Sequence, residues 1–521
     1  MPTTADSASA PKATRREWIG LAVIAVPCLL YSMDLNVLNL AIPHLTADLN
    51  PTSTQLLWIV DIYGFLLAGF LITMGTLGDR IGRRRLLMIG AGAFGLSSVF
   101  AAFATTAEML ILARAVLGIA AATLAPSTLS LIRNMFLDAR ERTTAIGVWV
   151  GCFAAGGVVG PLVGGILLEY FWWGSVFLIA VPMMVLLLAL APVLLPEYRD
   201  PNATHLDLAS AVLATTTVLS MIFGMKHIAI YGVQPSALAA IVASIILGTL
   251  FVRRQRRLAD PMIDLQLFRR PIFTAALCVN IIGVFAAFGA FLFVVQYLQL
   301  VLGMRPLEAG LWLMPSGLVF VAGSILAPVI VRRYPPSTIL GCGFFIASIG
   351  YGVLTQIGPS GPLWILILGF MLFCAGLAPM GALTTDLVMS DVPPERAGAA
   401  SGISETSFEF GAALGIAVLG SIVGAIYRTQ MGAAHLPGVS TDMARAARET
   451  LGAAMEVAES LEDSARGVLE SAARDAFTQG MHVASFASAA LALVAAFVCW
   501  RFMGQKDAAV NVAAELRAES E

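Results

Sequence analysis

Long apolar segments separated by short polar ones dominate the chain. A helix that crosses a bilayer needs roughly 20 mostly apolar residues. Fourteen segments meet this criterion, and we predict a transmembrane helix in each: 18–42, 54–77, 86–105, 107–132, 143–168, 172–195, 206–226, 235–252, 272–301, 307–331, 337–357, 362–389, 398–426 and 481–503. The seventh and eighth show the weakest pattern, and twelve spans remain without them.

Arginines collect on one side of the predicted stack. Clusters precede the first span and follow the second, fourth, eighth and tenth, which puts all of them on the same side if there are fourteen spans. The positive-inside rule makes this side cytoplasmic. We therefore expect a cytoplasmic N-terminal tail at 1–17 and a cytoplasmic C-terminal tail at 504–521.

One polar segment, 427–480, is much longer than the other connections. It is rich in alanine, and its apolar residues recur at helical spacing in two runs, from Met443 to Ala458 and from Leu461 to Ala472. We predict a broken helix or a helical hairpin outside the membrane, packed over the outer mouth. A mobile solvated linker is the alternative.

Composition excludes several classes of protein. Of the 521 residues, 58% are hydrophobic and 12% charged, whereas a soluble domain carries about 25% charged residues. The net charge of −2 provides no basic field for nucleic acid. The six cysteines lack metal or redox spacing, and no Gly-Lys dipeptide provides a Walker A loop. We expect no metal, cofactor, nucleic-acid partner or enzymatic activity, and an ion gradient as the energy source.

The stretch GTLGDRIGRRR, at Gly75–Arg85, joins the second and third spans. Its glycines permit a tight turn between closely packed helix ends. Asp79 can accept hydrogen bonds from arginines or cap a neighbouring helix N-terminus. An ordinary positive-inside loop explains the arginines but not the full frame G-x-x-x-D-R-x-G-R-R, whose defined positions are Gly75, Asp79, Arg80, Gly82, Arg83 and Arg84.

Three further stretches lie inside predicted spans. RAVLG, at Arg114–Gly118, places an arginine in the fourth span, and MDLNVLNLAIP, at Met33–Pro43, lies in the first. GGVVGPLVGG, at Gly156–Gly165, lies in the fifth. Its Gly156, Gly160 and Gly164 share a helix face suited to close packing. Pro161 favours a bend there.

Together the four motifs resemble the major facilitator superfamily, and in particular its fourteen-span drug:proton antiporters, the quaternary-ammonium and multidrug exporters. The loop matches the signature loop of the superfamily. Arg114 and Gly118 match its fourth-span element. The antiporter motif G-x-x-x-G-P-x-x-G-G is matched at Gly156, Gly160, Pro161, Gly164 and Gly165.

The resemblance implies an all-α integral membrane protein with the major facilitator fold. Two six-helix halves are expected at 18–195 and 272–503. The two additional transmembrane helices, at 206–252, lie between them, and the insertion at 427–480 lies within the second half.

Charges inside apolar spans indicate function, because an Asp, Lys or Arg at a helix centre costs about 2.5–3.5 kcal/mol on insertion scales. Asp61, in the second span, shares a helix face with Trp58 and Phe65. A carboxylate flanked by aromatic rings suits a lipophilic cation. Tyr31 stands in the same relation to Asp34 in the first span.

Glu405 and Glu409 are one helical turn apart in the thirteenth span, so their carboxylates face the same way. Two close and poorly hydrated carboxylates should not both ionise, and the pair is expected to take up a proton at physiological pH. We expect Glu405 to lie deeper in the span and Glu409 to lie near the outer interface, beneath the insertion. Lys226 and His227 are expected to end the seventh span.

By resemblance, Asp34, Asp61, Glu405 and Glu409 are expected to bind substrate and couple its movement to protons, since carboxylates in the same spans of the related exporters have this role. For Asp34, a structural hydrogen-bonding role is an equal alternative. Arg114 would repel a cation, so we interpret it as a structural or coupling partner.

These features predict a proton-coupled antiporter in the bacterial inner membrane. Its partners are the lipid bilayer, protons and lipophilic cations such as quaternary ammonium compounds and dyes, and it is expected to act as a monomer by alternating access. A narrow exporter of one endogenous metabolite or antibiotic fits the motifs equally well. A non-transporting membrane sensor or enzyme would need an appended domain or a convergent catalytic set, and the antiporter motif argues against nutrient uptake.

Overall fold

The computed structural model describes residues 11–199, 207–258, 261–359, 361–390 and 392–503. Within these ranges the ordered elements are helices, with no β-strand. Residues 1–10 of the predicted N-terminal tail, and the whole predicted C-terminal tail at 504–521, lie outside the described residues.

The first half and the additional pair contain nine helices: α1 (Arg15–Leu49), α2 (Ser53–Ile81), α3 (Arg83–Ala102), α4 (Ala107–Met135), α5 (Ala139–Tyr170), α6 (Ser175–Leu178), α7 (Ala180–Leu194), α8 (Leu208–Tyr231) and α9 (Pro235–Gln255). The sixth predicted span is broken into α6 and α7. Pro182 has no N–H to donate to the carbonyl of Leu178, which is the last residue of α6.

The second half contains the remaining helices: α10 (Pro271–Gln296), α11 (Pro306–Ile330), α12 (Pro336–Leu354), α13 (Leu363–Ser390), α14 (Ala397–Ala433), α15 (Thr441–Ala447), α16 (Leu451–Glu459) and α17 (Asp463–Val498). In the described part of the chain, 13 helices are long and apolar enough to cross a membrane, and the bent α5 makes the fourteenth. The predicted all-α architecture of fourteen spans is therefore confirmed.

The segment 427–480 is built from helices, as the first apolar run predicted, but its boundaries differ. α14 runs on to Ala433 and α17 begins at Asp463, so both helices pass through the boundaries placed at 427 and 480. The segment is thus two helix extensions joined by the short helices α15 and α16. The second apolar run does not form a separate helix, because residues such as Leu469 continue the buried face of α17.

α5 carries the glycine motif and is bent. Its parts Ala139–Gly157 and Leu162–Tyr170 are inclined by 40° to each other. Pro161 lies within the bend, and a proline has no backbone N–H to complete the helical hydrogen bond. The structure does not describe the side chain of Pro161. The bend is where the sequence predicted it.

The additional helices α8 and α9 pack against each other as a hairpin. Asp207, just before α8, accepts hydrogen bonds from Nε and Nη2 of Arg254 in α9, at 2.7 and 2.9 Å. The Arg254 guanidinium holds the pKa of the Asp207 carboxyl well below its usual range, so the pair stays ionised. α8 also packs against α2 and α14, one helix from each half. The hairpin therefore covers part of the seam between the halves.

The two halves meet closely at the arginine-rich ends of their helices. A Cβ added to Gly75 of α2 would clash with the carbonyl oxygen of Gly398 in α14. A Cβ added to Gly147 of α5 would meet the ring of Pro328 in α11. Glycine at these positions allows the helices to approach backbone to backbone. The arginine-rich side is consequently closed.

Candidate functional site

Four acids mark the centre of the seam. They come from three helices of the two halves: Asp34 from α1, Asp61 from α2, and Glu405 and Glu409 from α14. Each carboxylate has a different set of partners.

Asp34 is neutralised by a buried arginine. Nη1 of Arg114 lies 2.5 Å from Oδ2 of Asp34, Nε donates to the carbonyl of Ile59 at 3.2 Å, and the guanidinium lies 4.5 Å from the centre of the Tyr63 ring. The Arg114 side chain is 1% exposed, so solvent does not screen its charge and the Asp34 carboxylate neutralises it. One turn later, a Cβ on Gly118 would clash with the carbonyl of Tyr63. The R-x-x-x-G element therefore locks α4 against α2.

Asp61 has a partner that the sequence analysis missed. Nζ of Lys226 lies 2.5 Å from Oδ1 of Asp61 and 4.9 Å from the centre of the Phe65 ring. The rings of Trp58 and Phe65 are 6.4 Å apart on the same face of α2. The membrane-spanning part of α8 ends at Ile228, so Lys226 and His227 lie in its last turn, as predicted. The helix itself continues to Tyr231. A lysine within an apolar segment was the available signal.

Glu409 joins the two halves through a tyrosine. The hydroxyl of Tyr31 in α1 donates to Oε1 of Glu409 at 2.7 Å. The hydroxyl of Tyr31 thus reaches across to α14, a contact that its position one turn from Asp34 did not predict. Its ring packs edge-on against Phe153 of α5, with centres 5.2 Å apart. Lys226 is close enough to Glu409 for an electrostatic interaction.

Glu405 is the least satisfied of the four acids. The charged group that acts on it is Glu409, one turn away. Among the residues that the structure describes, none makes a hydrogen bond or salt bridge with the Glu405 carboxylate. Glu405 and Glu409 are both half-buried. They form a pair of carboxylates with one hydroxyl donor and no directly bound cation among the described side chains.

Glu409 lies closer to the start of α14 than to its end. It lies 12 residues after Ala397, the start of α14, and 24 residues before its end at Ala433. These separations correspond to about 18 and 36 Å along the helix. Glu409 is therefore nearer to the arginine-rich end of α14 than to the insertion, and its expected position near the outer interface stays a prediction.

A polar network on α14 adds uncharged groups beside the acids. Nδ2 of Asn280 in α10 donates to Oγ of Ser407 at 3.0 Å, and Asn280 is buried. Ser407 lies between Glu405 and Glu409 in sequence but turns toward α10. Uncharged polar residues such as Asn280 and Ser407 do not stand out in the sequence, so this contact was not predicted.

Asp79 of the loop motif performs both roles considered for it. Its carboxylate accepts the backbone N–H groups of Gly398 and Ala399 at 2.9 Å each, which caps the first turn of α14. It also accepts Nε and Nη2 of Arg83 at 2.9 and 2.7 Å. Arg83 is fully buried and reaches the carbonyl of Pro394 at 2.6 Å. The motif thus fastens α2 to the start of α14.

The remaining loop residues support this contact. Gly82 has a φ of 109°, a conformation that favours glycine, at the turn between α2 and α3. Arg84 donates to the carbonyls of Pro192 and Leu195 at 3.1 and 3.0 Å, which ties the turn to α7. Arg80 lines a small cavity on the same side, beside Asp264.

A second set of contacts closes the same side. Nε of Arg142 in α5 donates to Oδ1 of Asp386 in α13 at 2.8 Å. Nε of Arg133 in α4 donates to the carbonyl of Met389 in α13 at 3.0 Å. Both arginines belong to the first half and both acceptors to the second, so breaking these contacts is required to open this side.

The glycine motif of α5 packs against α1. A Cβ on Gly156 would clash with the carbonyl of Leu29, and one on Gly164 would meet the side chain of Val37. Gly160 is buried on the same face. Gly165 has no described atom within 4 Å of an added Cβ, so packing does not explain it. The motif brings α5, with Phe153, against the helix that carries Tyr31 and Asp34.

Comparison with known proteins agrees with this architecture. The sequence profile of the Major Facilitator Superfamily matches residues 28–416. The chain is 42% identical to the multidrug efflux pump LfrA of Mycolicibacterium smegmatis, over 94% of this chain and 97% of the relative. It is 33% identical to the methyl viologen resistance protein SmvA of Salmonella typhimurium, over 93% of this chain and 98% of the relative.

Solved structures show the same fold at low sequence identity. The human organic anion transporter MFSD10 (TETRAN) superposes with a TM-score of 0.62 at 14% identity, over 93% of this chain and 99% of that one. The proton:xylose symporter XylE gives a TM-score of 0.58 at 15% identity, over 93% and 95%. The family predicted from the four motifs is confirmed, and the chain belongs to the major facilitator superfamily.

Proposed function

We propose that the protein exports lipophilic cationic drugs in exchange for protons, by alternating access of the carboxylate site between its halves. The names of the relatives LfrA and SmvA, a multidrug efflux pump and a methyl viologen resistance protein, support drug export. The site itself supports the cationic substrate and the proton.

The observation that carries the proposal is the unequal neutralisation of the four acids. Asp34 and Asp61 each contact a basic side chain, whereas no described salt bridge reaches Glu405 or Glu409. Two poorly hydrated carboxylates one turn apart share a proton more readily than they ionise together. A cation that enters this site takes the place of that proton, so one site serves two competing cations.

The closed arginine-rich side supports alternating access. The contacts made by Asp79, Arg83 and Arg142 hold the halves together there. With this side cytoplasmic, as the positive-inside rule indicates, the structure has the closed cytoplasmic side that one of the two states of alternating access requires. Both termini then lie in the cytoplasm. All four acids belong to one chain, so a monomer in the cytoplasmic membrane suffices for transport.

Proton release on drug binding tests the proposal. Tetraphenylphosphonium added to the purified protein in weakly buffered detergent solution is expected to release protons. Glu405→Gln is expected to abolish the release, and Asp61→Asn to weaken cation binding. Glu308→Gln is the matched control, because Glu308 is an exposed acid near the start of α11. If Asp61→Asn and Glu405→Gln both leave binding and release unchanged, the site assignment is wrong.

A resistance panel in an efflux-deficient bacterial host separates broad from narrow specificity. The proposal predicts protection against several chemically unrelated lipophilic cations. Protection against a single compound would favour a narrow exporter of one metabolite or antibiotic.

A further inference from the structure

We propose that Lys226 is a tethered cation that occupies the substrate position on Asp61, and that a drug must displace it to bind there. Lys226 would thereby determine which cations the protein accepts. This inference rests on the proposed function, and it assigns a role in the transport site to the additional helix pair α8 and α9.

The Lys226 ammonium makes the two kinds of contact that a lipophilic cation would make. It lies 2.5 Å from the Asp61 carboxylate and 4.9 Å from the centre of the Phe65 ring. The ring of Trp58 stands beside that of Phe65. Charge attraction combined with an aromatic face is the usual recognition of organic cations. A drug cation cannot use these contacts while the ammonium holds them.

The ion pair between Lys226 and Asp61 is easier to break than the one between Arg114 and Asp34. The side chains of Lys226 and Asp61 are 35% and 25% exposed, whereas the Arg114 side chain that holds Asp34 is 1% exposed. Arg114 is further fixed by the carbonyl of Ile59 and the ring of Tyr63. A lysine carries one compact charge on a flexible stem and can swing away without breaking a bidentate contact.

A second acid also interacts with the Lys226 ammonium. Lys226 interacts electrostatically with Glu409 on the opposite half. Next to Lys226 in α8, Met225 and Ile222 pack with Ala68 of α2 and Ala417 of α14. The backbone of α8 is therefore anchored to both halves, while the Lys226 side chain itself stays partly exposed.

The test measures the affinity of the full-length protein for tetraphenylphosphonium, by equilibrium dialysis at pH 8. Lys226→Met keeps an unbranched side chain, one atom shorter, and removes its charge. The variant is expected to bind about fivefold more tightly, because the drug no longer has to break a partly exposed ion pair. Lys226→Arg keeps the charge and is not expected to bind more tightly than the wild type. Arg254→Met is the matched control, since it removes a partly exposed ion pair of the same hairpin at a different place.

A double-variant cycle distinguishes competition from a structural effect. In the Asp61→Asn background, Lys226→Met is expected to give a smaller gain in affinity than in the wild type, because the contested carboxylate is gone. Equal or weaker binding by Lys226→Met alone would overturn the inference, and so would the same gain in both backgrounds. Suppose that the wild type binds the cation and that Asp61→Asn weakens this binding. If Lys226→Met then does not tighten binding, only the inference about Lys226 fails. If no form of the protein binds a cation, the proposed function fails as well.

Discussion

The four acids at the seam differ in what neutralises them. Asp34 faces a buried arginine, Asp61 an accessible lysine and Glu409 a tyrosine hydroxyl, while Glu405 has no direct partner among the described residues. A buried arginine fixes its partner, whereas an accessible lysine can be displaced and an unpaired acid can hold a proton. These differences support the proposed division of structure, selectivity and proton binding among separate positions.

The pair of Asp34 and Arg114 is expected to contribute more to stability than to drug recognition. Asp34→Asn leaves the buried guanidinium without its counter-charge, and breaking a buried pair in this way costs about 3–5 kcal/mol. Removing both charges in Asp34→Asn/Arg114→Met is expected to restore much of that loss. The melting temperatures of the wild type, Asp34→Asn, Arg114→Met and the double variant in one detergent measure it. Additive losses in the double variant would contradict the pairing.

At the scale of single residues, the sequence identified the four acids but not the residues that contact them. Charged residues inside apolar segments stand out locally, which is why all four acids were found. Their partners lie 80, 165 and 378 residues away for Asp34, Asp61 and Glu409. No local pattern links residues so far apart in the chain, so the roles of Lys226 and Tyr31 appear only when the helices are packed.

Among the elements, α14 connects the closed side to the site. Its first turn is capped by Asp79, its early glycines lie against α2, and Glu405 and Glu409 follow one and two turns later on the same rigid helix. A movement that separates α2 from the start of α14 therefore also moves the two glutamates. The closure of one side and the environment of the proton site are joined through this helix.

Gly75→Ala is expected to weaken closure of the arginine-rich side. The added methyl group clashes with the carbonyl of Gly398, which is backbone and cannot turn away. A cysteine at Ala399, now buried, should react faster with a water-soluble thiol reagent in this variant, in a background without native cysteines. Gly92→Ala is the control, because no described atom lies within 4 Å of its added Cβ. Equal labelling rates in the two variants would count against the closure described above.

The ends of α14 and α17 show the limit of prediction at the scale of elements. Apolar length located both spans, but the alanine-rich residues beyond them carry no strong hydrophobic signal. Tertiary contacts of Tyr427 stabilise the extension of α14: its buried hydroxyl donates to the carbonyls of Ala447 and Thr450 at 2.9 and 3.2 Å. Contacts of this kind extend a helix past the point where composition marks its end.

At the scale of the whole molecule, hydrophobic length and four short motifs were enough to predict the fold. The bilayer imposes helices of known length, so counting apolar segments amounts to counting spans. The motifs indicated the family, and three of the four serve a close helix contact: Gly75 with Gly398, Gly118 with α2, and Gly156 with α1. The position of the additional hairpin against α2 and α14 has no counterpart in local sequence, and it follows only from the packed structure.

Transport by the purified protein in liposomes tests the central claim most directly. The claim is that a proton gradient drives the export of a lipophilic cation through the Asp61 and Glu405 site. With an acidic lumen and no membrane potential, wild-type liposomes are expected to accumulate tetraphenylphosphonium. The accumulation should vanish when nigericin collapses the pH gradient, be absent with Glu405→Gln, and be unaffected by ATP. Accumulation that persists without the gradient, or that Glu405→Gln leaves intact, would contradict the account.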